Sequence, residues 1–445
     1  MHRQDSCLPR AAVLLLLLPL LAALLYSDSS PAHARSRRAA RGAGVPASEP
    51  LRGGRGPTIQ QKTARLKNDG EVRALWVQRT SLTSPAAIAQ MVSAARAAGF
   101  NTLLVQVRGR GDAFFNDGVE PRASVLVGQP ASFDPLATVL SSARSAGLRV
   151  HAWVNINLVA SAAELPAARR HIIYRHPEWL MVPRALAHEM AGVDRDSPEY
   201  VGKLARYARA EAAQVEGLYL SPIHGDAVAY TVSVVADLVK RYDVDGVHFD
   251  YIRYPNDEFD YSPGALSMFR REVAGELSRA ERERYDARLS TEPTIYTDAF
   301  PERWQNFRRM RLTTLTARLH DSIKSYRRNA IVSAAVVPDA REAFTRRLQD
   351  WPGWTESGLL DVLCPMAYTD DPAAFRAQID SVRLLAKETP VWAGIGAYRL
   401  SSSETIENIL TAREIGARGI VLFSYDNLAG PPGALADIGR AAFNP

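Results

Sequence analysis

From residue 71 to residue 426, short apolar, β-rich runs alternate with stretches whose apolar residues recur at helical spacing. That alternation marks a parallel sheet whose strands are joined by covering helices. Strands are predicted at 72–78, 101–108, 149–155, 245–251, 330–337, 360–368, 390–398 and 419–426, and helices at 84–98, 134–146, 227–242, 372–387 and 402–415. Several of these helices stop at Gly99, Gly147 or Gly416, the residue type that closes a helix most readily. Eight βα units imply an α/β fold of the closed (β/α)8 TIM-barrel kind. One further extended run, 217–222, exceeds the count. Paired with 178–182 it predicts a hairpin outside the barrel, within a long insertion after strand 3. A second long insertion, 255–329, follows strand 4 and carries an amphipathic helix around 303–326. Insertions at the C-terminal ends of barrel strands usually build the cleft.

The composition is that of a globular chain: 445 residues, 47% hydrophobic and 23% charged, with 28 Gly and 27 Pro. Long disorder, collagen and disulfide scaffolds are excluded. Of the two cysteines, Cys7 lies near the start and Cys364 in an apolar run, which predicts a small buried hydrophobe and no internal disulfide in a processed chain. Residues 1–34 resemble a secretory signal peptide, with Arg3 and Arg10 ahead of an apolar run at 11–25 and Ala32-His33-Ala34 at the cleavage position. The run is too short to span a bilayer as a helix. Cleavage near Ala34, export to the periplasm or beyond, and no stable membrane anchor are expected. The formal charge of +6 changes this picture little. Residues 35–70 hold nine Arg or Lys against two acids and read as a basic disordered linker, while 71–445 hold 43 basic and 44 acidic residues. A near-neutral folded part gives no footprint for nucleic acid.

In such a barrel the chemistry sits where strands end, on inward positions of alternating parity. One parity collects Trp76 and Gln78; Gln106 and Arg108; His151, Trp153 and Asn155; His248 and Asp250; Met366 and Tyr368. Asp250 ends an apolar strand beside Tyr251, Arg253 and Tyr254. Burial would raise its pKa and pairing with Arg253 would lower it, and either tunes a carboxyl group for proton transfer. His151, His248 and Asp250 share a parity, but three ligands without a fourth make a poor metal site. No phosphate loop, dinucleotide fingerprint or nucleophile elbow is present, so neither metal nor cofactor is expected.

The ordered motifs Glu71-Val72-Arg73-Ala74-Leu75-Trp76-Val77, Val107-Arg108-Gly109-Arg110-Gly111-Asp112-Ala113, His151-Ala152-Trp153-Val154-Asn155, Asp245-Gly246-Val247-His248-Phe249-Asp250-Tyr251, Pro365-Met366-Ala367-Tyr368 and Gly394-Ile395-Gly396-Ala397-Tyr398 resemble the glycosyl hydrolase-like family 10 proteins of bacterial envelopes. The resemblance runs over about 71–430. It implies a barrel glycosidase acting on an envelope or extracellular glycan, with peptide-free peptidoglycan strands as one substrate class. It also implies a pair of acids at the end of strand 4, where this chain has Asp250 followed by Tyr251. A glycan-binding barrel without turnover is therefore the alternative reading.

Asp250 is the expected proton donor. Asp112, Asp370 and Asp426 are the candidates for the second carboxyl group a glycosidase needs, although each has a plain alternative as a loop or helix cap. Trp153, Tyr251, Tyr254, Tyr368 and Tyr398 are candidate platforms for the apolar face of a sugar. Arg108, Asn155, His248 and Arg253 complete the candidate substrate contacts. Oligomeric state is not legible.

Overall fold

The computed structural model describes residues 70–443. The expected signal peptide and, apart from Gly70, the basic linker lie outside the described residues. Eight parallel strands close into a barrel: β1 (Val72–Val77), β2 (Thr102–Arg108), β3 (Arg149–Asn155), β6 (Gly246–Asp250), β7 (Ile331–Val336), β8 (Val362–Ala367), β9 (Trp392–Ile395) and β10 (Gly419–Phe423), with β1 closing against β10. All eight predicted strands are present, β3 over its whole predicted run and the others shorter than theirs. The strand pairs keep side-chain alternation in phase around the barrel, Trp153 lying opposite His248 and Asn155 opposite Asp250. Outward residues such as Val105, Val154 and Phe249 pack beneath the helices, whereas Trp76, Leu104, Trp153, Cys364, Trp392 and Val421 fill the interior. The barrel is a packed core with its chemistry at one end.

Helices form where the pattern places them, because their first turns are capped. Ser84 accepts from the Ala87 amide, Asp134 from Ala137, and Ser401 forms a reciprocal box with Glu404. The helix that ends at Ile415 closes on Gly416 at φ 89°, a left-handed conformation that costs glycine nothing. The long helix after β6 spans Pro301–Tyr326. Its Arg308 is buried and bonds the carbonyls of Asp257 (2.6 Å) and Phe259, which ties the helix to the segment leaving β6.

The expected hairpin forms in part and gains a second partner. Two strands outside the barrel, β4 (Leu158–Ser161) and β5 (Gly217–Tyr219), pair antiparallel, with Leu158 opposite Tyr219 and Ser161 opposite Gly217. Residues 178–182 pair antiparallel with the same segment over a shorter length, through a bridge between Leu180 and Leu220, a 2.8 Å bond from the Met181 amide to the Tyr219 carbonyl and a 2.8 Å bond from the Ser221 amide to the Trp179 carbonyl. The reason is continuity. The chain leaving β3 stays alongside β6, the Ile156 amide bonding the Asp250 carbonyl (2.8 Å) and that of Asn157 bonding Tyr251 (3.2 Å), so β4 starts at the barrel mouth and is first to meet β5. Gly217 permits the approach: a Cβ there would lie 2.0 Å from the Ala160 carbonyl oxygen. Gly217→Ala is expected to destabilise the chain by about 1–3 kcal/mol, read as a lower midpoint in urea, and an unchanged midpoint would contradict this packing.

Candidate active site

Asp250 is the last residue of β6 and only 8% exposed. Its Oδ2 accepts from Trp153 Nε1 (3.2 Å), and its Oδ1 accepts from the Tyr251 amide (2.7 Å) and from Arg253 Nη1 (3.3 Å). The Tyr251 amide reaches back because Tyr251 adopts φ 49°, a turn few non-glycine residues make and one that concentrates at functional sites. Burial raises the Asp250 pKa above the ordinary carboxyl value, and Arg253, the Tyr251 amide and Trp153 only partly oppose it. Burial works against the Arg253 charge too, but Asp250 and then Glu216 more than offset it, so Arg253 stays a cation. Its guanidinium lies 4.2 Å from the Tyr251 ring centre.

A hydrogen-bond chain runs from this carboxyl group across the barrel mouth. Trp153 Nε1 also donates to Asn155 Oδ1 (3.1 Å), which accepts from Gln106 Nε2 (3.4 Å), while Gln106 Oε1 accepts from Arg79 (3.1 Å). Asn155 Nδ2 donates to the Gly109 carbonyl (2.8 Å), so its amide orientation is set by three partners. Aromatic rings form a wall beside it. Tyr368 packs edge-on to Tyr398 (6.0 Å) and Trp76 (6.2 Å) and tilts against Phe423 (5.6 Å), which also meets Trp153 (6.3 Å). Tyr368 lies within the field of Asp250, and Tyr398 is 36% exposed.

Several expected site residues serve other purposes. Arg108 is buried and paired to Glu120 by two bonds (2.8 and 2.7 Å), with further bonds to the Asn155 and Ile156 carbonyls, so it braces β3 and does not reach a substrate. Tyr254 is fully buried in the core away from the rim, because the loop after β6 turns inward and is pinned by a 3.0 Å bond from its amide to the Arg347 carbonyl. His248 is sealed in the interior between Trp76 Nε1 (3.0 Å) and Ser333 Oγ (3.0 Å). Burial drives both His248 and His151 down to about 3, so they are neutral fillers of the barrel. Asp426 accepts from the Gln78 amide (2.8 Å), Thr80 (2.9 Å) and Ser81 (2.7 Å), and thereby holds the loop after β1. Asp112 caps its own turn through the Arg110 amide (2.9 Å). Asp370 points outward, 3.5 Å from Arg399, and Asp371 caps the helix Pro372–Ala386. Asp250, Tyr251, Arg253, Tyr368 and Tyr398 remain at or around the mouth, whereas Trp153 (4% exposed) and Asn155 (0%) lie beneath it and position Asp250 through their hydrogen bonds in place of meeting a sugar.

Sequence reasoning missed four residues. Glu120 and Phe423 are the brace of Arg108 and the middle of the aromatic wall. Arg79 belongs to the loop after β1 and lies in the field of Arg110, Asp112 and Tyr251. Glu216 immediately precedes β5, and its Oε1 lies 3.6 Å from Arg253 Nη2. Its only sequence signal is its place at the head of an extended run with no home in the barrel.

The model of the family described as "Glycosyl hydrolase-like 10" matches residues 71–408. The chain belongs to this family. Among curated relatives, "Glycosyl hydrolase DigH" of Escherichia coli (strain K12) is 25% identical over 325 residues, covering 69% of this chain and 65% of the relative. "Glycosyl hydrolase YngK" of Bacillus subtilis (strain 168) is 23% identical over 209 residues, 43% of this chain and 35% of that one. The chain thus spans less than two thirds of the length of either relative. Among solved structures, the PgaB (BpsB) glycoside hydrolase domain of Bordetella bronchiseptica superposes with a TM-score of 0.56 at 16% identity, covering 82% of this chain and 97% of that one. The catalytic domain of a β-amylase from Paenibacillus polymyxa gives 0.55 at 11%, covering 84% and 98%. These likenesses carry the barrel fold.

Two outcomes follow from the site's electrostatics. Glu120→Ala leaves the Arg108 charge buried without its partner and should cost about 3–5 kcal/mol in chemical denaturation; a loss below 1 kcal/mol would mean the pair is dispensable. Asp250 binds its proton more tightly folded than unfolded, so its favourable contribution is complete below the unfolded carboxyl pKa and is lost as pH rises through the higher folded value. Asp250→Asn should therefore raise stability at pH 7 by about 0.5–2 kcal/mol, with the gain vanishing below about pH 4. A variant less stable than the parent at pH 7 would show that pairing outweighs burial.

Proposed function

We propose that the protein is an exported glycoside hydrolase that cleaves a bacterial envelope glycan, with Asp250 protonating the glycosidic oxygen. The observation that carries the reading is Asp250 itself: a buried carboxyl group, raised in pKa, at the C-terminal end of a barrel strand and beside an aromatic wall. Family membership and the glycoside hydrolase barrels among the structural neighbours support a glycan as the substrate class. The partly exposed rings of Tyr368, Phe423 and Tyr398 offer flat apolar area to sugar C–H faces.

Peptide-free peptidoglycan is the preferred glycan. Arg79 and Arg110, both half-buried at the mouth, form no ion pair with a carboxylate among the described residues. Removal of the stem peptide bares a lactyl carboxylate on every second sugar, and two guanidinium groups suit that anion. Export follows from the reading of residues 1–34. The second reading, a glycan-binding barrel without turnover, is favoured by Tyr251 standing after Asp250 where the family resemblance implies another acid.

Incubation of the full chain with peptidoglycan before and after amidase treatment, followed by mass spectrometry of soluble products, separates the two. Oligosaccharides should appear from the stripped strands, and Asp250→Asn should reduce their rate of release by about 10²–10⁴-fold. Tight binding of the stripped strands with no product would establish the binding module.

A further inference from the structure

Hydrolysis of a glycoside needs a second carboxylate besides the proton donor, and none of Asp112, Asp370 and Asp426 shares a hydrogen bond or ion pair with Asp250 or Arg253. Asp426 and Asp112 are engaged in bracing their own loops, and Asp370 stands 69% exposed against Arg399. Glu216 differs from all three in where the fold delivers it. The β4–β5 pair starts at the end of β3 and carries Glu216 back over the mouth of the barrel. There one guanidinium joins it to the proton donor: Arg253 Nη1 lies 3.3 Å from Asp250 Oδ1 and Nη2 lies 3.6 Å from Glu216 Oε1.

We propose that Glu216, set at the barrel mouth by the β4–β5 pair and linked to Asp250 through Arg253, is the carboxylate that activates the attacking water. This rests on the glycosidase reading of the same cleft and supplies its missing half. The Glu216 side chain is 29% exposed, so water reaches it, whereas that of Asp250 is 11% exposed. Tyr219 donates its hydroxyl to Glu216 Oε2 (2.5 Å), and burial raises the Tyr219 pKa well above that of a free phenol, which keeps the hydroxyl a donor. The Tyr219 hydroxyl on Oε2 and the Arg253 guanidinium facing Oε1 fix the position of the Glu216 carboxylate. They also blunt it as a nucleophile toward carbon while leaving lone pairs for the proton of a water.

The step balances as follows. Asp250 gives its proton to the glycosidic oxygen, and the bond from the anomeric carbon to that oxygen breaks with its electron pair staying on the oxygen. Water bonds to the anomeric carbon from the opposite face and passes one proton to Glu216. Glu216 loses that proton to solvent and Asp250 regains one, so each turnover consumes one water and inverts the anomeric centre.

The test uses the full chain with peptidoglycan strands stripped by amidase. Glu216→Gln should lower kcat by about 10²–10⁴-fold with glycan binding by calorimetry kept within a few-fold. Azide should restore turnover to Glu216→Ala as a glycosyl azide, which a merely structural role would not allow. Fresh product from the unmodified chain should show the inverted anomer by NMR. Tyr219→Phe keeps the carboxylate and removes its donor, so it guards against misfolding of the Glu216 variants; kcat should drop several-fold and the acidic limb of the pH profile should move up. Activity of Glu216→Gln within tenfold of the parent, an unmoved profile in Tyr219→Phe, or retained configuration would overturn the assignment and leave the glycosidase reading standing. An unmodified chain that releases nothing from any glycan would overturn that reading, and Glu216 with it.

Discussion

The structure depends on keeping a carboxyl group out of water at the end of a strand. Asp250 would ordinarily ionise and demand hydration, and the fold denies it both solvent and full compensation. Trp153 and the Tyr251 amide each give it one hydrogen bond, and Arg253 is shared with Glu216 so that its charge is divided between two acids. The result is a proton held more firmly than a free carboxyl would hold it, at a place where a barrel exposes its reacting groups. Much of the surrounding architecture serves that balance. Arg108 and Glu120 lock β2 to the end of β3, and Asn155 fixes the Trp153 indole that faces Asp250.

Tyr251 is where this chain departs from the acid pair implied by the family resemblance. Its left-handed turn brings the backbone amide onto Asp250, and its ring lies against Arg253 and near Tyr219. A second acid at this position would compete for the same guanidinium. The chain instead draws its other nearby carboxylate from a distant segment, Glu216, just before a strand outside the barrel. Peripheral connections thus bring polar side chains to the mouth while the barrel provides the fixed frame, a division common to this architecture.

The barrel was legible because two periods coexist along the chain, alternation in strands and helical spacing between them, with glycines and capping residues marking the joints. Parity alone brought Trp153, Asn155, Asp250 and Tyr368 to the inside. It could not say how deep each lies, so His248 and Tyr254 were expected at the mouth and are sealed in the interior. Nor could it show that Arg108 already has a partner, since Glu120 lies in a loop with no periodicity. The second partner of the hairpin is hidden for a related reason: 158–161 follows β3 without a break, and apolar pattern does not mark where one strand ends and another begins. Glu216 meets Arg253 only in the folded chain, a contact that no local pattern marks.

The most direct measurement is a crystal structure of the Asp250→Asn protein with an uncleaved oligosaccharide from peptide-free peptidoglycan. A glycosidic oxygen within about 3 Å of residue 250, with Glu216 facing the anomeric carbon from the other side through a water, is the predicted result. A sugar bound elsewhere on the barrel, with residue 250 reaching only Arg253 and Trp153, would contradict it.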